Sequence, residues 1–174
     1  MAYTKSGWYT NTILAALEAT AQTGTGGLNL TLATWKISLL TYSGPTDGSS
    51  PVQFQTTTQA WVNTFEATSS VSNWPTTGVL LSAAAASSTS VVPTVTLGGS
   101  SPYLVQYSWT NPLSVGPVTI ASVGGCIIYA DPLTSPIVKP MVLSICFGAT
   151  YAPNAGSFGI TPSGSGLSQL TLTQ

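Results

Sequence analysis

Glu66 and Asp131 are the two side chains that could act as an acid/base pair. The chain holds only four acids, Glu18, Asp47, Glu66 and Asp131. A glycoside hydrolase sets two carboxylates about 5–9.5 Å apart across the scissile bond. Asp131 precedes Pro132 where a strand ends, and an Asp there most often makes a local turn hydrogen bond. Glu66 lies in a polar stretch, where it is expected to cap a segment or pair with a lysine. A Ser–Lys nucleophile needs a serine activated by a desolvated lysine. The only basic residues are Lys5, Lys36 and Lys139, and no S-x-x-K occurs. Lys139 sits between Val138 and Pro140 in an expected loop. Lys36 sits on an early strand, where lysine often protects an edge. The expectation is no catalytic residue and no enzyme.

Histidine and arginine are both absent. That excludes a Ser-His-Asp triad, a Cys-His dyad and a zinc site built on His. No lysine follows glycine, so there is no Walker loop. Cys126 and Cys146 cannot hold zinc by themselves. They fall on consecutive strands, and an antiparallel hairpin would set them nearly opposite each other. Disulfide geometry is specific, so proximity alone does not make a bond. Buried free thiols are expected, and no metal or cofactor.

Exposed aromatics could instead stack on sugar rings. Trp35 and Trp109 fit a core by strand parity, as aromatics usually do. Tyr3, Trp8 and Tyr9 are harder to place inside and could anchor an interface, where Trp and Tyr are enriched.

The elements that would position these residues are mostly strands. Thr10 or Asn11 can cap a helix over Thr12 to Gln22, which holds Leu14, Ala15, Ala16, Leu17 and Glu18. Gly24, Gly26 and Gly27 end it. Strand alternation follows at Leu28–Leu32 and Trp35–Leu39. Residues 43–50 are a loop by turn chemistry. Residues 55–67 fit no single pattern, and Trp61, Val62, Phe65 and Glu66 could share a short helix. Val79–Ser82 reads as a strand, and Ala83–Ser90 is low in complexity.

Val91–Leu97 and Tyr103–Trp109 alternate in turn. Val118 and Ile120 open a strand, and Gly124-Gly125 permits a bulge. Cys126–Tyr129 and Met141–Phe147 are strands, and Gly148–Gly156 reads as a loop. Phe158–Ile160 and Leu167–Thr173 close the chain. About nine short strands with frequent turns indicate an all-β fold, an antiparallel sandwich or jelly-roll-like barrel with a short N-terminal helix. The division expected is an arm and helix over 1–27 and one β-sandwich domain over 28–174.

Composition narrows the function. Three basic and four acidic residues make up 4% of the 174, against about 25% in ordinary soluble domains. Three scattered lysines cannot make the roughly 6–10 phosphate contacts of a salt-sensitive nucleic-acid footprint. Polybasic membrane attachment fails for the same reason. No apolar run approaches the roughly 20 residues of a spanning helix, and no basic n-region with a cleavage site reads as a signal peptide. An outer-membrane barrel also alternates, but its loops and lumen usually carry charge. Ser, Thr, Asn and Gln supply the polarity. Near-zero net charge favours association, so a subunit of an assembly is expected.

Several segments, in order, resemble a family of small tailed-bacteriophage virion proteins, known as head decoration, minor capsid or minor tail proteins. Thr34-Trp35-Lys36-Ile37-Ser38-Leu39 resembles its "T-x-K-[VI]-x-L" strand. Glu66-Ala67-Thr68 and Trp74-Pro75-Thr76-Thr77-Gly78-Val79-Leu80-Leu81 are similar to its Glu-containing stretch and "T-x-G-V-x-L" strand. Trp109-Thr110-Asn111 and Gly125-Cys126-Ile127-Ile128-Tyr129-Ala130-Asp131 resemble "W-[ST]-N" and "G-x-[VI]-[IV]-Y-x-D". Leu143–Gly148 and Gly166–Leu170 resemble its closing strands. Many members carry acids in the region matching 42–60, where only Asp47 remains.

The resemblance implies a structural virion protein, assembled in the host cytoplasm. The favoured role is a capsid decoration or cement protein, a homo-oligomer on the major capsid protein or other virion proteins. It implies no nucleic-acid and no membrane partner. A minor tail or tail-tip protein and a carbohydrate-binding module are the alternatives.

Overall fold

The computed structural model describes residues 7–9, 35–41, 66–67, 74–75, 78–81, 94–98, 103–109, 113–130, 139–161 and 168–172. These residues form ten strands and, among themselves, no helix. The expected helix over 12–22, the strand at Leu28–Leu32 and the boundary at 27 lie outside them. So do Tyr3, Trp61 and Asp131.

The strands are β1 (Gly7–Trp8), β2 (Trp35–Leu40), β3 (Val79–Leu80), β4 (Thr94–Gly98) and β5 (Tyr103–Ser108). They continue as β6 (Leu113–Val118), β7 (Val123–Ala130), β8 (Met141–Tyr151), β9 (Gly156–Ile160) and β10 (Ser168–Leu172). Every pairing among them is antiparallel. One sheet has the order β1-β8-β7-β2-β3, a second β10-β5-β4, and β6 pairs with β9.

The five-stranded sheet is buried on both faces. Successive strand residues point to opposite faces, and β2 shows the consequence. Trp35, Ile37 and Leu39 face one way and are fully buried. They join Cys126, Ile128 and Leu143 of the same sheet, Val115 and Val118 of β6, and Ile160 of β9. Truncating an aromatic in such a core costs about 3–5 kcal/mol. Ser38 and Leu40 face the other way and are equally buried. Leu40 packs there with Tyr9, Ile127, Tyr129 and Met141. A strand buried on both faces reads as a nearly continuous apolar run, which is why Val123–Ala130 and Met141–Cys146 contain no charge.

Several expectations change. Lys36 does not guard an edge, because β2 lies between β7 and β3. Val118 closes a strand that began at Leu113 rather than opening one. Residues 148–151 belong to β8 instead of a loop. Gly7–Trp8 pairs with Ser144 and Leu143 as an unforeseen edge strand. It carries Tyr9 into the interior at 1% exposure, where an interface anchor had been expected. Trp8 packs against the main core.

The cysteines are free, but Cys126 is buried and Cys146 only half-buried where both were expected buried, and they are offset by one residue from facing each other. Cys126 pairs with Ile145, and Cys146 pairs with Gly125. An offset of one residue turns a side chain to the other face. Cys126 therefore sits in the main core and Cys146 against the second cluster.

Candidate functional site

Two places combine unusual chemistry with defined geometry. The first is the outer edge of β2. Its first half pairs with β3 through Lys36↔Leu80 and Ile37↔Val79, and Leu81 N–H donates to Trp35 O at 2.8 Å. Its second half is covered by a different segment. Glu66 bridges Leu40, and Ala67 N–H donates to Leu39 O at 2.8 Å. Two distant pieces of chain thus share one strand edge, and Gly78 lies where they meet.

Glu66 is 7% exposed. Ser38 Oγ donates to its Oε1 at 2.9 Å. No hydrogen-bond donor among the described residues reaches Oε2. Burial pushes the carboxyl above the usual carboxylate range, while the Ser38 hydroxyl, the Gly78 amide and the Lys36 charge pull it down. Desolvation disfavours the charged form, and here it outweighs the other three. Where a cap or a lysine pair was expected for Glu66, its side-chain hydrogen bond comes from Ser38, and Lys36 acts on it through its charge.

Gly78 is fitted to this site. Its φ is +75°, a region that L side chains enter at a cost of roughly 1–2 kcal/mol. A Cβ there would lie 2.5 Å from Ser38 Oγ and 2.6 Å from the Ile37 carbonyl oxygen. The sequence signal was the glycine directly before Val79, together with a serine in the middle of an apolar strand. Neither points to a buried acid until the two segments are brought together.

The second place is the far end of β8. Its first four residues are buried, its next three half-buried, and its last four exposed. The register with β7 jumps from Gly125↔Cys146 to Val123↔Tyr151. More of β8 than of β7 is spent on that interval, so β8 bulges outward. The irregularity lies opposite Gly124-Gly125, where a bulge or sharp bend was expected, but the surplus residues are on β8 and not at the glycines. Gly148 has a φ of +71° within the bulge, and its N–H donates to Cys146 Sγ at 3.4 Å. On the other side, β1 pairs only with Leu143 and Ser144. From Ile145 onward that edge has no strand partner among the described residues.

Aromatic rings line the same end. Trp74 meets Phe158 edge-on at 6.0 Å, Phe158 meets Phe147 at 6.1 Å, and Phe147 meets Tyr151 edge-on at 5.9 Å. Each such pair is worth about 0.5–1.5 kcal/mol beyond its buried area. The series runs from Trp74 in the core to Tyr151, the exposed large hydrophobic among the described residues. Ala155 N–H donates to Thr119 Oγ1 at 2.9 Å, and Ile120 N–H to Pro153 O at 3.0 Å, which pins the turn into β9.

Every exposed residue among those described is uncharged, and most fall between Gly148 and Thr161. No residue from Ala67 to Ala130, or from Pro140 to Gln174, carries charge. Among the described residues, no group of three or more Cys, Asp or Glu could hold a metal ion. Glu66 and Asp131 cannot be placed as a pair, since Asp131 is outside the described residues. No protein-family model, curated protein or solved structure matches the chain.

Proposed function

We propose that this chain is a structural, non-enzymatic protein of a tailed-phage virion. The reading favoured is a capsid decoration or cement protein, bound as a homo-oligomer to the major capsid lattice and stabilising the head. The fold proposed for it is an antiparallel β-sandwich or jelly-roll. Support for two layers comes from the shared core of the five-stranded sheet with Val115, Val118 and Ile160 of the β6–β9 pair.

The observation that carries the reading is the uncharged exposed surface at the end of β8 and along β9. A free protein normally surrounds itself with mixed charge, and low charge promotes association. An uncharged surface with an open strand edge suits a subunit whose neighbours cover it. Attachment there would use apolar contact and backbone pairing, with little steering by charge. The segments that resemble the phage family add support, since Lys36–Leu39, Glu66–Ala67 and Gly78–Leu81 line one strand edge.

Mass-spectrometric counting of this chain in purified particles tests the reading. Hundreds of copies per particle are expected for decoration. A handful would move the protein to the tail, and none would remove the virion reading. Attachment should also survive moderate salt, because screening weakens only exposed charge pairs. Release by moderate salt would overturn the uncharged mode of binding.

A further inference from the structure

We propose that Glu66 is a proton-dependent latch: as a neutral carboxylic acid it fixes Glu66–Ala67 over the outer edge of β2, and on ionisation that segment lets go.

The geometry leaves the ionised form poorly served. Among the described residues, Glu66 is held beside Leu40 by an antiparallel bridge and by the backbone bond from Ala67 N–H to Leu39 O. Its Oε1 takes the Ser38 hydroxyl and the Gly78 amide also favours the ionised form, but Oε2 is buried with no hydrogen-bond donor among the described residues, and burial outweighs what the neighbours supply. A buried neutral hydroxyl without a partner costs far less than a buried unpaired charge. Gly78 lies beside this pair, packed against Ser38 and Ile37 with no room for a Cβ.

Lys36, Glu66 and Lys139 are the charged residues among those described. Lys36 lies on β2 and its charge favours the ionised form, but burial acts more strongly in the other direction. Lys139 precedes β8, which is separated from β2 by β7. The other titratable groups on that face are Tyr9, Tyr129 and the Cys146 thiol. Burial pushes the Tyr9 hydroxyl up as well, opposed by Ser144, so it stays neutral and adds no charge.

The latch covers something. Among the described residues, Glu66–Ala67 is what covers the outer edge of β2 at Leu39–Leu40. An unpaired edge is a template for pairing with another chain. A proton on Glu66 thus keeps one edge of the main sheet closed. The latch depends on geometry within one chain and does not rest on the virion reading.

Glu18 and Glu66 are the only glutamates, so carboxyl-13C glutamate gives two NMR signals, assigned with Glu66→Gln. The Glu66 signal should stay protonated to clearly higher pH than the ordinary glutamate value of 4.5. Exchange of the Ala67 amide in the wild-type protein should then rise severalfold as Glu66 ionises. If the Glu66 signal titrates in the ordinary range, Glu66 is not held neutral and the proposal fails. If Glu66 titrates late but Ala67 exchange follows only the general pH dependence of its neighbours, the carboxyl is buried without being a latch, and the proposal also fails.

The sign for stability follows from linkage. The folded carboxyl is raised, so its contribution is fully present below pH 4.5 and is lost as pH rises through the folded value. Thermal stability of the wild type should fall over that window, and that of Glu66→Gln should stay level. Equal slopes in the two proteins would count against the latch.

Discussion

Gly78 and Gly148 share a backbone conformation, with φ of +75° and +71°. Their surroundings are opposite. A Cβ on Gly78 would meet Ser38 and the Ile37 backbone inside 3 Å, whereas a Cβ on Gly148 would meet nothing within 4 Å. Gly78 closes a buried edge over a carboxyl, and Gly148 lets an exposed strand bulge. The same turn of the chain therefore serves packing at one end of the main sheet and presentation at the other. What distinguishes them is the neighbouring chain, not the residue.

Substitutions can break that comparison. Gly78→Ala should give the largest effect. It adds backbone strain of roughly 1–2 kcal/mol to overpacking of typically about 1–3 kcal/mol. A loss of about 3 kcal/mol by denaturant unfolding is expected, and a loss no greater than that of Gly148→Ala would show that the close packing is not felt. Gly148→Ala keeps only the strain and should cost about 1 kcal/mol. A much larger cost would mean that this end of β8 is not open. Tyr151→Ser should be the mildest, within about 0.5 kcal/mol plus the ring contact with Phe147, as at most exposed positions. If the β8 end is the attachment surface, this variant should nonetheless bind particles less well than Gly78→Ala molecules that have folded. Undiminished attachment of Tyr151→Ser in a particle pull-down would take that surface out of the reading.

Much of the strand framework was legible. Trp35-Lys36-Ile37-Ser38-Leu39-Leu40 alternates cleanly, and the face carrying Trp35, Ile37 and Leu39 is the core face. Tyr103–Ser108, Val123–Ala130 and Ser168–Leu172 also fall within or across expected strands. Period-two alternation reports that a strand exists and which residues share a face. It does not report which strand lies alongside. Lys36 was taken for an edge residue because a lysine in a strand usually is, yet pairing with both β7 and β3 puts it in the middle. Gly148–Tyr151 looked like a loop because Gly, Ala and Thr lack a buried side, yet pairing of Tyr151 with Val123 extends β8 that far. A two-residue strand such as β1 has no period to detect.

The candidate site was the least legible part. Glu66 and Ser38 are 28 residues apart, and a polar stretch around Glu66 reads as solvent-facing. Burial of the carboxyl is a property of where that stretch lands. Cys126 and Cys146 teach the same point in a simpler form, since one residue of register places them on opposite faces.

The sequence by itself determined that chemistry built on histidine or clustered base is excluded, that strands dominate the described chain, and which side chains β2 turns into the main core. Those follow from residue types and from a periodicity that local backbone geometry imposes. Only the tertiary structure decided that Glu66 is buried against Ser38 and Gly78, that the two thiols lie on opposite faces, and that the end of β8 is exposed and uncharged. These depend on register and on contacts between distant segments, which no local pattern encodes.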